Sequence, residues 1–134
     1  MTALSKIEGI GETYSEKLKA AGVANIETLL ERGATPKGRK ALIEATGISD
    51  KLILKWINRA DLFRVKGLGE EYTDLLEHAG VDTVPELAQR KAENLHKKLS
   101  ETNDEKHLVR RLPPLSFVQG WIEHAKTLPR VIEY

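Results

Sequence analysis

The sequence contains no cysteine, few aromatic residues and no long apolar run. The absence of cysteine excludes disulfide bonds and thiolate metal sites, and it is compatible with a reducing compartment. Aromatic residues make up 5% of the chain, so the core must consist mainly of Leu, Ile, Val and Ala. No apolar run approaches the roughly 20 residues that span a bilayer, and the first five residues lack the pattern of a signal peptide. We therefore expect a cytoplasmic protein that does not enter a membrane.

The chain also lacks the residue patterns that are typical of metal binding and catalysis. None of the four histidines has another histidine three or four positions away, a spacing that would place two ligands on one helix face. No P-loop, nucleophile–base pair or paired-carboxylate motif is present. The sequence therefore predicts a non-enzymatic protein without a metal or a cofactor.

The charge is small overall but unevenly distributed. The 134 residues are 40% apolar and 31% charged, with a net charge of +1, which suits one compact domain or two small ones. Residues 36–66 contain eight basic and three acidic side chains, a net charge of +5. Such a basic segment is a candidate surface for a polyanion. The alternative is an ordinary solvated helix face.

The sequence contains an internal duplication. A shift of 58 positions places residues 7–32 on residues 65–90 with ten identical pairs among 26, including both glycines of an apolar-x-Gly-apolar-Gly turn. A shift of 65 positions aligns Leu52 with Phe117 and Trp56 with Trp121, so the second copy has about seven extra residues near 100–115. The sequence therefore predicts two units, residues 1–64 and 65–134.

Nearly all local signals are helical. Gly22 indicates a left-handed helix end, Asn25 and Thr35 are typical N-caps, and Thr83 with Glu86 predicts a capping box. No five residues alternate as a strand requires. We expect an all-α fold without a sheet, with the longer helices near residues 12–21, 50–62, 70–79, 93–103 and 116–127. Trp56 and Trp121 lie on apolar helix faces and are expected in the core.

Two longer patterns resemble known families. The string from Gly9 to Leu29, followed by Thr46-Gly47-Ile48-Ser49, resembles the tandem helix-hairpin-helix domain of RadA-type recombinases. The whole chain, including residues 108–113, 121–123 and 128–130, is more closely similar to a bacterial family of unknown function in the helix-hairpin-helix group. The resemblance implies two tandem helix-hairpin-helix (SAM-like) repeats packed as a pseudo-twofold helical body. We further expect helix 116–127 to complete the N-terminal repeat.

The resemblance also implies a way to bind DNA. Helix-hairpin-helix domains commonly hold DNA without sequence preference, through hairpin amides and nearby basic side chains on phosphates. Members that bind DNA typically carry Pro, Lys or Arg after the second glycine, whereas this chain has Glu12-Thr13 and Glu70-Glu71 there. A carboxylate about 4 Å from a phosphate repels it by roughly 1–4 kcal/mol. The turn Gly47-Ile48-Ser49, with basic residues on both sides, is therefore the better electrostatic candidate.

Two functions remain open at this point. The first is non-specific binding of double-stranded DNA, and the second is a protein–protein interaction or scaffold role without nucleic-acid binding. Arg110 and Arg111 are candidate contacts for phosphate or for an acidic partner. The sequence does not define the oligomeric state. The candidate nucleic-acid-binding residues are Gly9, Ile10, Gly11, Lys37, Arg39, Lys40, Gly47, Ser49, Lys51, Lys55, Arg59, Lys66, Gly67 and Gly69.

Overall fold

The computed structural model describes residues 2–134, and this part of the chain is helical. A short 3-10 turn, Leu4–Lys6, precedes eight α-helices. No strand occurs within residues 2–134, where the sole pairing of this kind is an isolated antiparallel bridge between Ala3 and Asn25. The all-α prediction is confirmed. The helices are α1 (Glu12–Ala20), α2 (Ile26–Gly33), α3 (Pro36–Thr46), α4 (Asp50–Leu62), α5 (Glu70–His78), α6 (Val84–Ala88), α7 (Ala92–Lys106) and α8 (Leu115–Thr127).

The chain divides into two compact units. Unit 1 comprises residues 2–61 together with residues 131–134, and unit 2 comprises residues 62–130. The last four residues, which the sequence analysis assigned to the second repeat, thus lie in unit 1.

In unit 1, short polar caps and a left-handed glycine define the helix ends. Gly22 has φ +90°, and the Val23 N–H donates to the Leu18 carbonyl at 2.8 Å, which is the Schellman pattern. The Asn25 side chain accepts the Thr28 N–H at 2.8 Å and starts α2. The resulting sharp corners pack α1 and α2 on α3.

The core of unit 1 is built around Trp56 of α4. Its ring meets Tyr14 of α1 edge to face, with centroids 5.0 Å apart and planes at 64°. Ile57 lies so close to Gly33 that a Cβ at Gly33 would overlap it, so the small residue is required there. Other buried side chains of this core are Leu4, Ile7, Ile10, Leu18, Val23, Ile26, Leu29, Leu42 and Ile53.

Unit 2 repeats the same backbone features at the shifted positions. Gly80 has φ +96°, and the Val81 N–H donates to the Leu76 carbonyl at 2.9 Å. Trp121 of α8 contacts Tyr72 of α5, with ring centroids 5.2 Å apart. The expectation that α8 completes the N-terminal repeat is wrong, because α8 packs on α6 and α7 and shares the unit 2 core. That core includes Val65, Leu68, Leu75, Leu76, Val81, Leu87, Leu95, Leu99, Val118, Trp121 and Ile122.

The capping box predicted for α6 does not form. The Thr83 side chain makes no capping hydrogen bond. The Glu86 carboxylate instead accepts from Arg90 Nε at 3.3 Å, so it is directed along the helix rather than back to the N-cap. The short α6 therefore begins without a side-chain cap.

Two glycines provide a matched test of the packing. Gly120 lies inside α8, and a Cβ there would meet nothing within 4 Å, whereas a Cβ at Gly38 would overlap the Arg32 carbonyl oxygen. We expect Gly120→Ala to stabilise the protein by about 1 kcal/mol, because alanine is the better helix former. Gly38→Ala should destabilise it by about 1–3 kcal/mol through overpacking. Urea unfolding followed by circular dichroism measures both, and a Gly38→Ala protein as stable as the parent would contradict this packing.

Candidate nucleic-acid interface

The basic segment of the sequence forms the helix pair α3 and α4. Thr35 accepts the Gly38 N–H at 3.0 Å and starts α3, and Pro36 occupies the first turn, where its missing N–H costs nothing. Gly47, with φ +72°, ends α3, and the buried Ile48 anchors the link to α4. These local features set where α3 ends and α4 begins.

A depression of about 340 Å³ lies between α3 and α4. Arg39 and Lys40 line it from α3 and Lys51 lines it from α4, so the fold brings together three of the predicted cations. Asp50 also lines it, and its carboxylate accepts the Lys51 N–H at 2.8 Å. The lining therefore carries three cations and one carboxylate, a positive balance suited to an anion.

Lys37 and Lys55 extend this basic surface along the same two helices. Lys37 precedes Lys40 by three residues on α3, and Lys55 follows Lys51 by four on α4, so each pair shares a helix face. All four lysines are exposed. We call the exposed surface formed by Lys37, Lys40, Lys51 and Lys55 the basic face of unit 1.

Arg39 has a structural role within this region. Its Nη1 donates to the Gly33 carbonyl and its Nη2 to the Glu133 carbonyl, both at 2.8 Å. The guanidinium also lies 5.8 Å from the ring centroid of Tyr134, within cation–π range. The Tyr134 hydroxyl donates to Asn58 Oδ1 at 2.7 Å. Arg39 thus holds residues 131–134 on unit 1, and sequence reasoning offered no signal for this contact.

Arg59 does not belong to the site. The sequence predicts a nucleic-acid contact for it as one of the basic residues of segment 36–66, but its exposure is 2%. A buried guanidinium is not accessible to a phosphate of a duplex. The direction of the side chain depends on packing that the spacing alone does not reveal.

The turn Gly47-Ile48-Ser49 has few main-chain donors left for an anion. The Gly47 N–H donates to the Ile43 carbonyl at 2.8 Å, and the Ile48 N–H donates to Thr46 Oγ1 at 3.2 Å. Ser49 Oγ accepts the Leu52 N–H at 3.3 Å and caps α4. The Gly47 and Ile48 amides are thus already bonded within the protein, so the exposed lysines beside the turn are the stronger candidates for an anion contact.

The two Gly-apolar-Gly turns, Gly9–Gly11 and Gly67–Gly69, differ from the Gly47 turn in the main-chain N–H groups of the helices that follow them. Gly9 has φ +96° and Gly67 has φ +83°, a region open to glycine but unfavourable for other residues. The intervening Ile10 and Leu68 are each 4% exposed, so they anchor the turns rather than meet a ligand. Gly11 and Gly69 are N-caps without a capping side chain, which leaves the first amides of α1 and α5 without side-chain acceptors at those caps.

Acidic side chains occupy the first turns of both α1 and α5. Glu12 is exposed in the first turn of α1, and Glu70 and Glu71 are exposed in the first turn of α5. Acidic residues at this end stabilise the helix through its dipole. They also oppose an approaching phosphate, so these turns are electrostatically weaker anion sites than the basic face.

A tryptophan supports each turn from behind. A Cβ at Gly9 would lie 3.6 Å from Trp56 Nε1, and a Cβ at Gly67 would lie 3.8 Å from Trp121 Nε1. The two tryptophans are 1% and 3% exposed. The prediction that both are core residues is confirmed.

The remaining candidates, Lys66, Arg110 and Arg111, belong to unit 2. Lys66 is exposed, and its N–H donates to His124 Nδ1 at 2.9 Å. Arg110 and Arg111 are exposed in the irregular segment between α7 and α8. Asn103 holds that segment through two hydrogen bonds to Val109, of 2.9 and 3.1 Å.

Within residues 2–134, no group of three or more His, Asp or Glu side chains is arranged to hold a metal ion. No helix in that part of the chain is both long enough and apolar enough to cross a bilayer.

These observations define an all-helical protein with two units that repeat one turn geometry and with a basic face on the first unit. The chain belongs to the DUF4332 family, a domain of unknown function, whose family model matches residues 8–128. This match confirms the resemblance to an uncharacterised family, and it covers all eight described helices. Neither the curated proteins nor the solved structures gave a match.

The structural role of Arg39 can be separated from its charge. Arg39→Lys retains the positive charge but loses the planar fork that donates to two carbonyls. We expect the free energy of unfolding to fall by about 1–2 kcal/mol, as for the loss of hydrogen bonds from a charged donor. Urea unfolding measures the change. The matched control is Lys40→Arg, the exposed neighbour on α3, which should change stability by less than about 0.5 kcal/mol. Equal effects of the two changes would contradict the role of Arg39.

Proposed function

We propose that this protein binds double-stranded DNA without sequence specificity, through phosphate contacts from the basic face of unit 1, and that it has no catalytic activity. The observation that carries the proposal is the set of four exposed lysines on α3 and α4, two of which, Lys40 and Lys51, line a depression that is positive on balance. Contacts to phosphates position a protein on a duplex without reading its bases.

Charge and spacing both favour an extended anion over a small one. Lys37 and Lys40 lie along α3, and Lys51 and Lys55 lie along α4, so their charges follow a surface rather than converge on one atom. Phosphates of a duplex form such a row, with one negative charge per about 1.7 Å of helix axis. Each lysine can then neutralise a separate phosphate, and the depression gives the backbone a concave seat.

We further propose that the turns at Gly9–Gly11 and Gly67–Gly69 are helix-hairpin-helix elements. Support comes from the positive φ of the first glycine of each turn, the buried apolar residue between the glycines and the uncapped helix that follows. In unit 1, α1 packs on α3, which connects the first turn to the basic face. We assign the first turn an auxiliary phosphate contact that Glu12 weakens.

The salt dependence of binding tests the main proposal. We expect micromolar affinity for a random-sequence duplex at low salt, falling steeply as salt rises. Replacing Lys37, Lys40, Lys51 and Lys55 together by Gln should reduce the slope of log K against log salt by about 3–4, because about 0.9 counterions are released per phosphate contact. Fluorescence anisotropy on a labelled duplex and on the matching single strand measures this.

A matched control for charge exists in unit 2. Lys91, Lys97, Lys98 and Lys106 are also exposed, and their joint replacement by Gln changes the net charge by the same amount. That control should keep the slope and the affinity of the parent protein. Binding that is lost equally in both quadruple variants, or no binding of either nucleic acid at low salt, would refute the proposed interface.

The contribution of the first turn is tested by Glu12→Gln. Removing a carboxylate about 4 Å from a phosphate relieves a repulsion of roughly 1 kcal/mol, so duplex affinity should rise about fivefold. Glu16→Gln, one turn further along α1 and equally exposed, is the control and should have a much smaller effect. If both changes raise the affinity equally, the turn at Gly9–Gly11 does not contact the duplex.

A further inference from the structure

A second surface with a different chemistry lies on unit 2. A groove of about 450 Å³ runs between the turn at Lys66 and Gly67 and one face of α8. The α8 residues that line it are Ser116, Phe117, Gly120, Trp121 and His124. None of these α8 residues takes part in the proposed DNA contacts.

Gly120 leaves the backbone of α8 open to this groove. It is the sixth residue of a 13-residue helix, where glycine is less favourable than alanine. A Cβ at this position would meet nothing within 4 Å, so packing of the described residues does not require the glycine. The missing side chain instead creates a gap in the helix surface. Such a gap allows an external side chain to approach the backbone closely.

Phe117 forms the apolar edge of the gap. It lies three residues before Gly120, on the same helix face, and its exposure is 50%. Trp121, 3% exposed, supplies the apolar lining beneath it. Aromatic side chains around a cleft are typical anchors of protein interfaces.

The polar groups of the groove favour an acidic occupant. Lys66 is exposed at one side, and no carboxylate lines the groove among the residues that the structure describes. His124 Nδ1 accepts the Lys66 N–H, so Nε2 is the ring nitrogen that carries the hydrogen. The Lys66 ammonium group and the His124 Nε2–H are both hydrogen-bond donors, and neither side chain carries a negative charge. An apolar lining beside an ammonium group complements an apolar side chain next to a carboxylate.

We propose that this groove docks an acidic segment of a partner protein, with one large apolar side chain seated over Gly120 beside Phe117 and a carboxylate paired with Lys66. The glycine turn sets the position of Lys66, because its amide is fixed to His124 and Gly67 follows with a left-handed backbone. The segment recognised is short, since the groove is confined to one turn and about two turns of α8. The proposed docking uses residues of unit 2 and does not rest on the proposed function.

A random-peptide display selection against the full chain tests the proposal. We expect enriched peptides to carry one large apolar residue flanked by Asp or Glu. Their affinity, measured by fluorescence anisotropy on synthetic peptides, should fall about tenfold or more in Gly120→Leu, which fills the gap, and in Lys66→Glu, which reverses the charge. Lys126→Glu, an exposed lysine of α8 outside the groove lining, is the matched control and should bind like the parent.

Circular dichroism and the unfolding transition establish that each variant is folded. Phe117→Ala gives an independent second test, since half of this side chain is already in water, and it should weaken the same peptides. The proposal is overturned if no peptide is enriched above a blank selection, if the enriched peptides lack acidic residues, or if their affinity is unchanged in Gly120→Leu and Phe117→Ala. A self-association of the parent chain that Gly120→Leu abolishes would assign the groove to a second copy and overturn it as well.

Discussion

A glycine in a left-handed conformation, lying against a tryptophan, recurs in both units and defines the turn that precedes α1 or α5. Gly9 and Gly67 adopt positive φ values, and the indole Nε1 of Trp56 or Trp121 lies just behind each of them. A side chain at either glycine would be strained whatever space surrounded it. Each turn leads into the helix that follows it, α1 or α5. The tryptophan behind the turn belongs to α4 in unit 1 and to α8 in unit 2, and we call these two the supporting helices. The surfaces considered above lie on, or beside, these two supporting helices.

The duplicated units have diverged where these helices meet solvent. The shift of 65 positions that aligns the tryptophans also aligns Lys55 of α4 with Gly120 of α8 and Leu52 with Phe117. One supporting helix thus contributes exposed lysines to a basic face, and the other contributes a glycine gap and a half-exposed phenylalanine. An ammonium group attracts an anion through solvent, whereas a gap beside an aromatic ring binds by excluding water. The two proposed surfaces therefore differ in chemistry although they lie on equivalent helices.

Much of the fold was predictable because its signals are local. Asn25 and Thr35 cap helices as expected, Gly22 and Gly47 end them with positive φ, and no strand occurs in the part of the chain that the structure describes. These features depend on the conformational preferences of single residues and their near neighbours. The capping box at Thr83 does not form, and the Glu86 carboxylate accepts instead from Arg90, one turn further along.

The sequence by itself determined the helical class, the duplicated glycine turns and the supply of lysines in α3 and α4, since each follows from residue identity and spacing. Only the tertiary structure decided which charges reach solvent. Arg59 is buried, and Arg39 donates hydrogen bonds to the carbonyls of Gly33 and Glu133. Lys40 and Lys51, by contrast, line one depression. It also decided that Phe117 stays half exposed and that α8 packs within unit 2. These outcomes depend on contacts between residues distant in the chain, which helical periodicity and local capping preferences do not encode.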